Sequence, residues 1–173
     1  MKSIFFDEID NTQDFAINEF KKEPLLIVSK VQTSGRGTNQ NKWQNADQSL
    51  ATSLVFNKKI ISFTKTLIPL LAGYSYVSLV KNKNLKLKWP NDIIFKNDKV
   101  GGVLVEENNK LVCIGLGVNY FWENPSLPGA GAIYDEKQDD QKIFQDAEEW
   151  GKTILNYIKN EDFSLENYTS KLT

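Results

Sequence analysis

Three apolar runs, Asp92–Phe95, Lys99–Glu107 and Lys110–Val118, follow one another with only the short polar segments KND and ENN between them. Such segments read as tight turns, so the runs form an antiparallel meander. Around this meander the pattern is mixed. Residues 3–9 read as a strand. Residues 12–22 read as a helix with Asp10, Asn11 or Thr12 as cap. Leu25 to Lys30 is a buried strand, and residues 49–56 alternate as a strand. A helix of roughly five turns is expected near Phe63 to Lys81, followed by a short strand at 85–89 that runs into Pro90. Residues 121–133 form a loop rich in Gly and Pro. An amphipathic helix spans 139–159 and a short one Leu165–Leu172. Strands and helices are segregated, which argues for an α+β fold, a mostly antiparallel mixed sheet flanked by helices, and not for a doubly wound sheet. With 173 residues, no repeat and no clear linker, the chain reads as one domain over residues 1–173.

Composition narrows the chemistry. The chain has no histidine and one cysteine, Cys113. No imidazole base is available, and a Cys/His metal cluster is excluded; no protein-bound metal is expected. A lone cysteine cannot close an internal disulfide, which fits a reducing cytoplasm. Net charge is −1, so no broad footprint for nucleic acid is expected. No apolar stretch has the length of a membrane span, and the N-terminus has no signal-peptide pattern. Of the 21 lysines and arginines, Arg36 is the sole arginine. Lysine does not replace arginine where a planar, two-pronged grip is needed, so an arginine kept between two glycines is a candidate ligand clamp.

Four segments carry the candidate chemistry. Residues 32–48 (QTSGRGTNQNKWQNADQ) hold almost no apolar residue except Trp43 and Ala46. Loops this long in compact domains are lids or disordered segments. Glycines at 35 and 37 would let backbone N–H groups approach an anion that Arg36 clamps; a solvated flexible loop is the alternative. Lys88–Trp89–Pro90–Asn91–Asp92 combines an extended entry with turn chemistry, and also suits a plain strand-ending turn. Lys99–Val100–Gly101–Gly102–Val103–Leu104–Val105–Glu106 places two glycines inside a strand. That marks a bulge or a close approach by a ligand or another backbone, with Lys99 either facing that ligand or solvated. Gly115–Leu116–Gly117–Val118–Asn119 ends the next strand. Across the hairpin the two glycine-bearing strands make a shallow trough, or else pack tightly under a helix.

In this order and at these separations, GRG…W, KWPND, KVGGVLVE and GLGVN resemble the catalytic domain of the biotin–protein ligases. The resemblance runs from Phe6 to about Tyr168, and KWPND with KVGGVLVE is its most specific part. It implies the α+β fold of class II synthetase type shared with lipoate ligases and octanoyltransferases. It also implies ATP-dependent activation of biotin to biotinyl-5'-AMP, followed by transfer to a lysine of a biotin carboxyl carrier protein domain of acetyl-CoA carboxylase or a related enzyme. ATP and Mg²⁺ come with that chemistry. The family's Asp-Ser-Thr-Asn stretch is similar to Asp10, Asn11, Thr12 and Gln13, of which the Ser and Thr positions touch the biotin ring. Gln32, Gly35, Arg36, Gly37 and Thr38 fall in the loop motif, and Lys99, Gly101 and Gly102 in the strand motif; all are expected on the biotin side. Arg36 and Lys99 would carry catalysis by holding the carboxylate and phosphoryl groups. Trp43, Lys88, Asn91 and Asn119 are expected on the nucleotide side. Asp92 is a weaker candidate for orienting the incoming amine.

The loop departs from the family pattern. Members commonly read GRGRxGRxW, whereas this chain reads GRGTNQNKW, with Thr38 and Asn41 where further arginines are usual. The change bears on retention of the adenylate and leaves Arg36 and Lys99 in place. The resemblance begins by residue 6, so no N-terminal helix-turn-helix domain is expected, and the small C-terminal barrel domain of many relatives is expected to be absent or truncated. Lipoate ligase or octanoyltransferase activity, or biotin binding without catalysis, are the alternatives; an octanoyltransferase would need an acyl-cysteine. A homodimer is an open possibility.

Overall fold

The computed structural model describes residues 1–38, 41–61, 65–80, 84–160, 163 and 165–173. Among the described residues, seven strands form one mixed sheet: β1 (Lys2–Ile9), β2 (Leu25–Gln32), β3 (Gln48–Asn57), β4 (Lys86–Lys88), β5 (Asp92–Phe95), β6 (Asp98–Glu107) and β7 (Leu111–Phe121). Their order is β1-β2-β3-β7-β6-β5-β4. Only β1 and β2 run parallel, joined across helix α1 (Thr12–Glu19); the other neighbours are antiparallel. The expected meander is β5-β6-β7. Phe95 pairs with Asp98 across Lys96 and Asn97, both at positive φ (50° and 76°), as a two-residue hairpin requires. At the next turn the Asn108 side chain accepts from the N–H groups of Lys110 and Leu111.

The sheet separates two cores. On one face, α2 (Ile68–Leu79) and α3 (Asp140–Asn160) pack over Leu26, Val28, Leu54, Phe56, Ile114 and Val118. Trp150 of α3 is fully buried and donates its indole N–H to the Ala72 carbonyl of α2. On the other face, Ala16 of α1 packs on Leu25, Ile27, Val55 and Cys113. None of the described helices is long and apolar enough to cross a membrane.

Four expectations are corrected. The first helix stops at Glu19, not at residue 22, because Phe20 turns extended to pack on the smaller core, and Lys2 bonds the Pro24 carbonyl to start the parallel ladder. The strand around 49–56 is buried on both faces instead of alternating, because it is central and has α1 above and α3 below. The second helix is described as Ile68–Leu79, with Pro69 in the first turn, where no backbone donor is needed; the expected ends at Phe63 and Lys81 lie outside the described residues. The last helix, α4 (Leu165–Thr169), is shorter than expected, because Lys171 and Thr173 hydrogen-bond the backbone of Leu87 on the edge of β4.

The glycines of β6 have two different jobs. The ladder between β5 and β6 shifts register at Ile93/Ile94, a bulge. Gly101 turns to Ile93 and Val118, and a Cβ there would lie 2.8 Å from the Gly117 carbonyl oxygen. Gly102 turns to the opposite face, where a Cβ would make ordinary contact 3.6 Å from Lys99 Cε. Gly101→Ala is therefore expected to cost about 1–3 kcal/mol, the scale of overpacking, and Gly102→Ala under about 1 kcal/mol. Urea unfolding of the two variants checks this; equal losses would show that the backbone approach at Gly101 is not the constraint.

Candidate active site

The sheet face under α1 is paved with small residues. Pairing puts Gly102 opposite Gly117, Leu104 opposite Gly115, and Gly115 and Gly117 opposite Ser53 and Ala51. The bare backbone lets other groups descend onto the sheet. A Cβ on Gly115 would fall 2.3 Å from Oε1 of Gln13, in the first turn of α1. One on Gly117 would fall 2.8 Å from the ring of Trp43. The glycine trough is thus covered at one end by a helix and at the other by the loop tryptophan.

The N-terminus of α1 is tied to β2 and to the loop. Asn11 is the N-cap: its side-chain oxygen accepts from the N–H groups of Gln13 and Asp14, while its amide donates to the Ser34 carbonyl. Thr12 donates from its backbone N–H and its hydroxyl to Gln32 Oε1, at 2.8 and 3.0 Å, and its hydroxyl lies 2.8 Å from that of Ser53. Gln32 in turn is clasped by Asn45. The described part of the loop after β2 folds back on itself. Arg36 and Lys42 form a bridge, Gly37 N–H donates to the Asn41 carbonyl and Trp43 N–H to that of Gly35.

These pieces form a cleft of about 50 Å³, walled by the start of α1, Gln32, the loop at Arg36–Thr38, Trp43, Asn91, Lys99 and the glycine-bearing strands. Asn11, Thr12, Gln13, Gln32, Arg36, Gly37, Thr38, Lys99 and Gly102 all line it, as do Trp43 and Asn91. Gly35 and Gly101 do not; Gly35 packs against Gln32 and Trp43. A second hollow of about 240 Å³ continues past Gly37, Thr38, Trp43 and Lys99 to Asn119, Trp122 and the turn Leu127–Ala130. Asn119 is buried. Its amide donates to the Gly131 carbonyl, and its side-chain oxygen has no partner among the described residues. The Trp43 indole N–H is also buried without a partner among them. Lys88 is exposed on β4 and lines neither hollow. Asn91 is pinned to β6 by hydrogen bonds in both directions with the backbone of Val103.

Both candidate cations are paired with carboxylates. Lys99 Nζ lies 2.6 Å from Asp92 Oδ1, at the mouth of the β5–β6 bulge. Arg36 reaches both oxygens of Asp14 at 2.6 and 2.7 Å, and Glu106 at 3.2 Å. The hydrogen bond from Arg36 holds the Asp14 carboxyl below its ordinary value, and the same bond holds the guanidinium in its charged form. Asp14 and Glu106 were not among the residues singled out from sequence. Glu106 closes the KVGGVLVE motif, which was the available signal; Asp14 had none beyond its place in the first turn of a helix. Trp122 and the Leu127–Ala130 turn were also missed, inside the loop read only as rich in Gly and Pro. Cys113 is buried in β7 and stays outside both hollows; burial pushes its thiol far above the ordinary range.

Residues 5–119 match the model of the biotin/lipoate A/B protein ligase family. The chain is 26% identical to biotin–protein ligase 2 of Arabidopsis thaliana over 68% of its own length and 40% of that protein's. It is 29% identical to the bifunctional ligase/repressor BirA of Bacillus subtilis over 72% of its length and 42% of that protein's. It therefore spans less than half the length of these two relatives. The structure of biotin protein ligase from Aquifex aeolicus in complex with biotin and ATP superposes with a TM-score of 0.85 at 25% identity, covering 99% of this chain and 78% of that one. The biotin acetyl coenzyme A carboxylase synthetase from Helicobacter pylori with bound biotinylated ATP gives 0.76 at 28% identity, covering 98% and 78%. A family match over more than half of the chain, on the fold that carries the cleft, establishes that this chain belongs to the biotin/lipoate A/B protein ligase family.

Proposed function

We propose that the chain is a biotin–protein ligase that activates biotin with ATP to biotinyl-5'-AMP and passes the biotinyl group to a lysine of a biotin carboxyl carrier protein domain. The observation that carries this reading is the convergence of Arg36 and Lys99, two cations 63 positions apart in sequence, on one cleft floored by bare glycine backbone. A cleft of that kind suits a flat, small ligand with an anionic end. Trp43 supplies an apolar cover, while Thr12, Gln13 and Gln32 supply polar edges. The adjoining hollow lined by Asn119 and Trp122 is the natural place for the nucleotide, with the unpartnered Asn119 oxygen ready to accept a hydrogen bond.

The chemistry follows from charge and position. The carboxylate of biotin attacks the α-phosphorus of ATP, and pyrophosphate leaves. The acceptor amine then attacks the carbonyl of the mixed anhydride, and AMP leaves. Neither step needs a protein nucleophile or an imidazole, which suits a chain without histidine. The work of the protein is to hold the reactants together and to place positive charge where negative charge gathers. Arg36 and Lys99 do this at the carboxylate and phosphoryl groups. Asp92, already against Lys99, orients the incoming amine. Mg²⁺ arrives as the counterion of the nucleotide. An octanoyltransferase reading is disfavoured, because the single cysteine is buried away from the cleft with its thiol held protonated.

Three outcomes test the reading. Biotin with MgATP should raise the melting temperature more than lipoate or octanoate with MgATP; saturation at about 100 times Kd is worth about 2.7 kcal/mol. Stabilisation by lipoate alone would move the chain to the lipoate branch of the family. Lys99→Ala should slow biotinyl-adenylate formation by at least about 100-fold while costing less than about 1 kcal/mol in folding, since the Lys99–Asp92 pair is partly exposed. Unimpaired single-turnover kinetics would make Lys99 a surface residue. Cys113→Ser should keep transfer of labelled biotin to the acceptor domain. Loss of transfer in a folded variant, with an acyl-thioester trapped on the wild type, would reverse the assignment.

A further inference from the structure

A guanidinium has two edges on which a planar anion can be gripped by two N–H donors, the Nη1–Nη2 end and the Nε–Nη2 side. In Arg36 the first edge is filled. Nη1 donates to Asp14 Oδ2 at 2.6 Å and Nη2 to Asp14 Oδ1 at 2.7 Å. The second edge is shared, because Nη2 also donates to Glu106 Oε2 at 3.2 Å and reaches Oε1 at 3.4 Å. Glu106 is itself held by Nε2 of Gln13 at 2.8 Å. Arg36 therefore has no complete edge left for a ligand. It borders both the main cleft and the shallow pocket behind it, whereas Asp14 and Glu106 border only the latter.

We infer that these two carboxylates have opposite roles toward the anion that Arg36 grips: Asp14 is a positioning residue that anchors the guanidinium by its end, and Glu106 is a stand-in anion that the carboxylate or phosphoryl group of the ligand displaces. The inference rests on the reading given under Proposed function. The division follows from the geometry. The Asp14 contact is short and two-pronged, the form of a strong pair. The Glu106 contact is long and falls on a nitrogen already engaged, so it is the one that yields. Retaining Asp14 fixes the plane of the guanidinium, and the freed Nε–Nη2 edge can then face the cleft. Gln13 keeps Glu106 close, so the competitor returns when the ligand leaves.

Isothermal titration of the full chain with biotin and with biotinamide, whose end carries no charge, separates this from a merely structural role. Glu106→Gln should bind biotin about two- to fivefold more tightly, and Asp14→Asn about two- to fivefold more weakly, the range of partly exposed ion pairs. Binding of biotinamide should stay unchanged in both. If biotin and biotinamide shift together, the two carboxylates act only through the fold of the loop, and the inference is overturned. It is also overturned if Glu106→Gln leaves biotin affinity unchanged or lower. A wild-type chain that binds neither compound would instead remove the biotin reading itself, and this inference with it.

Discussion

The bare backbone at the centre of the β6–β7 pair is the constraint on which the rest of the site depends. With no side chain at Gly102, Gly115 and Gly117, the sheet has a low strip between Leu104 on one strand and the small residues Ala51 and Ser53 on the other side. Into that strip come Gln13 from the start of α1 and Trp43 from the loop, each to a distance that a Cβ would forbid. Lys99 lies beside Gly102 on the same face, at ordinary contact distance from where a Cβ would sit. Close approach gives the cleft a hard floor, and a hard floor fixes the separation of its walls. Glycine in a strand carries an entropic cost and packs nothing; here the loss is accepted on one face because the other face carries the main core.

That asymmetry is visible in the two packing surfaces of the sheet. Beneath, large aliphatic and aromatic side chains meet α2 and α3, and Trp150 and Tyr76 are fully buried. Above, the apolar cluster under α1 is smaller. The upper surface is left polar, through Thr12, Gln13, Gln32 and Ser53. A two-faced sheet of this kind lets one side supply stability while the other remains open, and it accounts for a central strand, β3, that is buried from Ser49 to Phe56 on both faces instead of on one.

Electrostatics organise the rim. A ligand-binding cation with no neighbour would wander through its rotamers and lose entropy on binding. Lys99 and Arg36 are instead held by Asp92, Asp14 and Glu106. Each pair is partly exposed, so its contribution to folding is small; its effect is to pre-order the donors. The chain has spread acidic partners over α1, β5 and β6 to serve cations from a loop and a strand. Two cations at the rim are thereby matched by three carboxylates before any ligand arrives.

Much of this was written in local sequence. The meander announced itself through its short polar turns, the long amphipathic helix α3 through its period, and the loop after β2 through its lack of apolar residues and its single arginine. These are properties of neighbours in the chain, set by hydrogen-bond geometry and side-chain periodicity. Tertiary structure decided what depends on register and on distant partners. Gly101 and Gly102 look equivalent in sequence, but adjacent strand residues face opposite sides, and only the pairing with β7 assigns one to the core and the other to the cleft. The early end of α1, the pairing of the C-terminal residues with Leu87, and the recruitment of Glu106 to Arg36, 70 positions away, belong to the same class. No local rule contains them, because each is a contact between segments whose separation is fixed only when the sheet closes its register.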